Sequence, residues 1–210
     1  GTLSIINSTF SQNNAANGAA LVNWETATLA GCTISENQAE AGAGIDLSGG
    51  TLTVTDSTFS GNTATQRGGG IMVNLYTQAI ISGTTFINNT AGDMGGGGIL
   101  NMGTTSVVNS TFTGNETKPK ETVYVYGSAI NNYFGNLILY NSTLSGNTGY
   151  VTLNNQTGSL SLANTIIANT IGGWDCSTWD GTLTQSINNW ISDGDTSGAD
   201  CIRKPAAQHK

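Results

Sequence analysis

Ser57-Thr58-Phe59-Ser60-Gly61-Asn62-Thr63-Ala64-Thr65-Gln66-Arg67-Gly68-Gly69-Gly70-Ile71 is the stretch on which the fold is decided. It joins a Phe-x-x-Asn to a Gly-Gly-Gly-Ile, and both halves recur along the chain. Phe-x-x-Asn stands at Phe10…Asn13, Phe59…Asn62, Phe86…Asn89 and Phe112…Asn115, with softer copies at Ile34…Asn37, Leu144…Asn147 and Ile166…Asn169. The steps between successive asparagines are 24, 25, 27, 26, 32 and 22 residues. Self-similarity at such a period is the signature of a solenoid.

Outward from that stretch, each repeat reads as three short strands. An alternating segment ends in Ser-Thr-Phe or its equivalent, bends near Asp56-Ser57, and is closed by the asparagine turn. A variable loop follows, then a glycine-rich strand such as Gly42–Ile45, Gly68–Ile71 or Gly95–Ile99. Strands of this length also build sandwiches and barrels, but hairpin sheets carry Asn-Gly or Asp-Gly between strands of equal standing. Here one turn chemistry returns at one phase of every repeat, so residue types should stack on copies of themselves. The fold class expected is all-β: a right-handed parallel β-helix of about seven to eight coils, each advancing by about one strand spacing of ~4.8 Å. Phe10, Ile34, Phe59, Phe86, Phe112, Leu144 and Ile166 should form an inner apolar column. Asn13, Asn37, Asn62, Asn89, Asn115, Asn147 and Asn169 should form an amide ladder, as stacked asparagine does in cross-β arrays. Glycines ahead of the Ile strand let two walls approach closely.

Composition fits this picture. Only 9% of the 210 residues are charged and 29 are glycine, yet 37% are hydrophobic and regularly placed, which argues against disorder. The net charge of −7 leaves no Lys/Arg footprint for nucleic acid or an anionic membrane surface, and no apolar run is long enough to span a membrane. No leader pattern opens the chain, which begins inside a repeat at Gly1–Ile5, so a mature form or a piece of something longer is expected. Residues 1–170 form the repeats and 171–210 a capping segment and tail. Cys176 and Cys201 flank the one non-repetitive segment and are expected to pair, which places the protein in an oxidising, extracellular setting. Cys32 takes the place of Ser8, Ser57, Thr84, Ser110 and Ser142 in other repeats and should be a small buried residue.

Phe-x-x-Asn paired with these Gly-Gly-Ile-like strands resembles the polymorphic outer-membrane-protein repeat of bacterial surface and autotransported proteins. Asn164-Thr165-Ile166-Ile167-Ala168-Asn169, followed by Asp175-Cys176 and Leu183–Asn189, is similar to the end of choice-of-anchor β-helix domains. The resemblance implies a β-helix displayed outside the cell and used for adhesion or surface structure.

Residues with the chemistry of a reactive or metal site are few. Glu40, Arg67 and Asp93 follow the ladder asparagine in three successive repeats and would stack as acid, base and acid. A carbohydrate-active β-helix enzyme, lyase or hydrolase, would draw on them, whereas a surface ion-pair row is the plainer account. No carboxylate pair is completed across neighbouring repeats, and the single histidine, His209, lies in the tail. No catalytic residue and no cofactor is therefore expected. Asp193, Asp195 and Ser197 imitate the opening of a calcium loop, but the twelfth position is Lys204. The fifth repeat is swollen by Glu116–Tyr126, and Tyr124, Tyr126, Tyr133 and Phe134 make it the expected binding face, toward a host glycan or protein. Trp174, Trp179 and Trp190 are expected to cover the end of the core. The function expected is a non-enzymatic surface protein, adhesin or structural component. A self-associating filament subunit is the other non-enzymatic alternative, because an edge strand can accept a strand from the next molecule.

Overall fold

In a computed structural model, which describes residues 1–119, 126–192 and 201, the chain winds as a β-helix with no α-helix among those residues. Four parallel sheets form its walls. The first runs from Thr2–Ile6 through Thr51–Thr55 to Thr182–Ile187, and the second from Thr9–Ser11 through Thr58–Ser60 to Trp190–Ile191. The third, with four strands, runs from Gln38–Ala41 to Glu116–Thr117; the fourth runs from Leu21–Asn23 through Ile71–Val73 to Trp174–Ser177. Coils are counted below by their first-sheet strand.

The alternating segment of each repeat is split between the first two sheets. A residue with positive φ makes the break in each coil, for example Asn7, Gly31, Asp56, Gly83 and Asn109. Short polar side chains and glycine tolerate that left-handed conformation best. The break keeps Val54 and Phe59 both inside although they lie an odd number of residues apart. The following Ser57 hydroxyl bonds the Thr55 carbonyl at 2.8 Å and accepts the Cys32 N–H from the previous coil at 3.0 Å. Ser110 and Ser142 repeat the pattern. Cys32 stands in this hydroxyl column as a free, buried thiol.

Inside, Phe59 lies in register with Ile34 on one side and Phe86 on the other. The rings of Phe59, Phe86 and Phe112 stack at centroid distances of 4.8 and 4.6 Å, so strand spacing sets ring spacing. Gly70 faces this stack: a Cβ there would lie 3.0 Å from the Phe86 ring and 2.5 Å from the Gly98 carbonyl. Glycine is the residue that lets the fourth wall touch the rings. The amide ladder runs from Asn13 to Asn147, each side-chain N–H donating to the next Oδ1 at 2.9–3.0 Å. The second amide hydrogen goes to the carbonyl of the preceding coil's apolar column residue, as from Asn62 to Ile34 at 2.9 Å. From Asn37 to Asn115 each buried ladder amide thus has both its hydrogens used inside the scaffold.

The seventh copy corrects the expected columns. Leu144 pairs with Ile167, which is buried, while Ile166 is exposed. Asn169 has φ 57° and stands at the left-handed turn position that Gly146 fills one coil earlier; its side chain donates to Ser145 on the surface. The left-handed break at Asn164 sets which of the two isoleucines turns inward. Thr170 therefore takes the ladder position. There the column ends on buried Asp175, whose carboxylate accepts the N–H and hydroxyl of Thr170 at 3.1 and 2.6 Å and the N–H and hydroxyl of Ser192.

Past residue 170 the winding continues, since Trp174–Ser177, Thr182–Ile187 and Trp190–Ile191 each extend a sheet. Cys176 and Cys201 are disulfide-bonded, with Cα atoms 5.7 Å apart. Trp174 is half-buried and meets Tyr150 edge-on at 4.8 Å, but Trp179 and Trp190 are exposed rather than folded over the core end.

Candidate functional site

The acid–base–acid stack of Glu40, Arg67 and Asp93 is not formed in that register. One extra residue bulges in Thr63–Arg67 between Ala64 and Arg67, so Arg67 pairs with Ala41 and bridges to Gly95. Glu40 accepts instead from the Gln66 amide at 3.4 Å. The guanidinium of Arg67 turns to the Met94 sulfur at 3.5 Å, and its positive charge also acts on Asp46. Asp46 is buried on the fourth sheet and receives the Asn74 amide at 2.7 Å. Its burial pushes the carboxyl above its ordinary value, against the opposing effects of Ser48, Asn74 and Arg67. Among the described residues no three His, Cys, Asp or Glu side chains converge as a metal set does. Asp193, Asp195 and Ser197, and Tyr124 of the swollen repeat, lie outside the described residues.

The other expected aromatics do not form one patch. Tyr126 precedes Gly127–Tyr133, whereas Tyr133 and Phe134 lie at its far end, about 20 Å away along an extended strand. Tyr133 and Phe134 touch, with ring centroids 4.2 Å apart. They belong to a different feature, the corner at which each fourth-sheet strand turns into the next first-sheet strand.

Register fixes the composition of that corner. Asn23, Leu47, Val73, Asn101, Asn132 and Asn155 are partners before it, and Thr26, Thr51, Gln78, Thr104, Asn136, Ser159 and Thr182 after it. Trp24-Glu25 fills the turn of coil one, Leu75-Tyr76 that of coil three, Tyr133-Phe134 that of coil five and Trp179-Asp180 that of coil seven. The even coils carry Ser48-Gly49-Gly50, Met102-Gly103 and Gln156-Thr157-Gly158. Trp24 is 70% exposed, Tyr76 99%, Phe134 56% and Trp179 56%. One corner thus shows an aromatic side chain at every second coil, about 10 Å apart by strand spacing.

Coils two and four stay flush for a steric reason. A Cβ on Gly50 would lie 1.9 Å from the Glu25 carbonyl, and one on Gly103 would lie 2.5 Å from that of Thr77. Between Tyr76 and Phe134 the low coil leaves an open cleft of about 650 Å³ whose lining, including Gln78, Met102, Thr104 and Asn136, has no charged residue. Tyr76 and Phe134 both have φ 64°. The left-handed region disfavours bulky residues, and the positive φ of the turn one coil before Tyr76 falls on Gly50. Beneath the corner the buried side chains of Asn101, Asn132 and Asn155 form a second amide ladder with 2.6 Å contacts, which holds the coil spacing there.

Sequence reasoning missed Trp24 and Tyr76 and assigned Trp179 elsewhere, because it aligned repeats on the Phe-x-x-Asn turn. Aligning them on the Thr, Gln or Asn that opens each first-sheet strand puts Trp24, Tyr76 and Phe134 each two residues before it and Trp179 three.

Residues 1–117, just over half of the chain, match the family described as right handed beta helix region. The protein belongs to that right-handed β-helix family. No curated protein and no solved structure gives a significant match. No helix among the described residues is long and apolar enough to cross a membrane.

Proposed function

We propose that this is a non-enzymatic protein of the cell surface, an adhesin or structural surface component, which holds its partner along the aromatic corner. The observation that carries this proposal is Tyr76, almost wholly exposed on a backbone conformation that glycine would adopt at less cost. An exposed ring in a strained turn contributes little to folding, and such outliers gather at binding sites. Aromatic rings are also the side chains that dominate interface energetics. The Cys176–Cys201 disulfide supports an extracellular location, since such bridges persist in oxidising compartments. The resemblance of the repeats to polymorphic outer-membrane-protein repeats and of the end to choice-of-anchor domains accords with a displayed β-helix.

The test is adhesion of beads coated with the purified protein to cell and matrix surfaces. The double variant Tyr76→Ala, Phe134→Ala should lose adhesion while its circular dichroism stays unchanged. Undiminished adhesion by a folded double variant would remove the corner from the function.

A further inference from the structure

We propose that the corner binds an uncharged, extended β-linked polysaccharide lying parallel to the helix axis, with alternate sugar pairs stacked on successive aromatic side chains. This rests on the corner being the partner-binding face and names the partner's chemistry. Three observations select it over other ligands.

The first is commensurability. Aromatic side chains at every second coil repeat at about 10 Å, twice the ~4.8 Å strand spacing. That is about the length of two sugar units in an extended β-linked chain, in which every second ring presents the same face. A peptide strand docked along the axis advances on a different step, and a globular protein partner has no reason to follow a two-coil repeat. The second is the absence of charge. The cleft between Tyr76 and Phe134 is lined by Gln78, Thr104 and Asn136 as well as by apolar groups, and by no Lys, Arg, Asp or Glu. Neutral amides and hydroxyls suit sugar hydroxyls, while uronate or sulfated glycans would find no cation to pair with. The third is rigidity. Tyr76 sits on a turn closed by the Thr77 N–H and hydroxyl to the Asn74 carbonyl, at 3.3 and 2.7 Å, and from the next coil onward the Asn101–Asn132–Asn155 ladder fixes the coil spacing beneath Phe134. A fixed row loses little freedom on binding, which favours affinity for a regular polymer.

The geometry also assigns a length requirement. Tyr76 and Phe134 can be bridged only by an oligosaccharide that spans two coils, so a disaccharide reaches one aromatic side chain and a hexasaccharide reaches both. Trp24 extends the row beyond Tyr76 and should matter only to longer chains.

The experiment is calorimetric titration of the whole protein with neutral β-linked oligosaccharides of the glucan, chitin, mannan and xylan types, each from two to eight sugars, beside polygalacturonate. At least one neutral series is expected to bind, with affinity rising steeply between two and six sugars and changing little with salt, as an uncharged contact should. Tyr76→Ala and Phe134→Ala should each weaken hexasaccharide binding roughly tenfold or more, and Tyr76→Trp should preserve it. Trp24→Ala should weaken the octasaccharide and leave the tetrasaccharide unchanged.

If no neutral series binds while the double variant still abolishes adhesion, the corner holds a protein partner and the glycan assignment is overturned. If a glycan binds without a length dependence, or polygalacturonate binds best, the axial, uncharged geometry is wrong. Adhesion indifferent to the double variant removes both this assignment and the corner's role.

Discussion

Asn62→Ala tests the scaffold most sharply, because the buried amide serves two neighbouring coils at once. Its Nδ2 donates to the Ile34 carbonyl at 2.9 Å and to Asn89 Oδ1 at 2.9 Å, and its Oδ1 accepts the Asn37 N–H at 3.1 Å and the Asn37 amide at 2.9 Å. Alanine deletes all four. Two partners retain another contact: Asn89 Oδ1 keeps the Asn62 N–H, and the Asn37 amide keeps the Phe10 carbonyl. The Asn37 N–H is left in a buried site without this acceptor. An orphaned donor costs about 1–3 kcal/mol and each of the three further lost bonds about 1 kcal/mol net, so a loss of about 4–6 kcal/mol is expected. Asn13→Ala is the internal control, since Asn13 is the exposed end of the same ladder and its loss should cost under about 1 kcal/mol. Urea unfolding followed by far-ultraviolet circular dichroism measures both. If Asn62→Ala costs no more than Asn13→Ala, the amide column does not hold the coils together.

Phe86→Ala should cost about 3–5 kcal/mol in the same assay, since Phe86 is fully buried between two stacked rings, and Phe86→Leu clearly less. Reduction should cost about 3.5 kcal/mol by the loop-entropy estimate and loosen the end that carries Trp174, Trp179 and Trp190; tryptophan fluorescence during a thermal melt, with and without dithiothreitol, reads this out. Burial raises the Asp46 carboxyl above its usual 3.8, so the folded state holds that proton more tightly than the unfolded chain. The sign follows: its contribution is fully present below the ordinary carboxylate range and is lost as pH rises through the raised value. Asp46→Asn, which keeps an acceptor for Asn74, should raise the melting temperature at pH 7 and flatten the pH dependence above pH 4. A variant melting below the parent at pH 7 would contradict this.

The fold was legible because Phe-x-x-Asn and Gly-Gly-Gly-Ile carry their meaning locally. A left-handed turn, a buried ring and a wall needing no Cβ return at one phase, so their stacking follows from repetition alone. The last copy was misread because Thr165-Ile166-Ile167 offers two isoleucines, either of which satisfies an apolar-x-x-polar pattern. Only the break at Asn164 shows which one turns inward. The expected charge stack failed because Glu40, Arg67 and Asp93 stand three, five and four residues past their ladder asparagines, and in register Arg67 meets Ala41 and Gly95.

The sequence by itself determined the winding, the apolar column through Leu144, the amide ladder through Asn147 and the cysteine pair. Each of these depends on spacing within one repeat or on simple elimination. Tertiary structure decided what faces solvent between the repeats. Trp24, Tyr76, Phe134 and Trp179 are separated by unequal lengths of chain, and they fall into one row because hydrogen-bonded strands count coils rather than residues. Insertions change residue number without changing the strand spacing, and that spacing sets where the row's members stand.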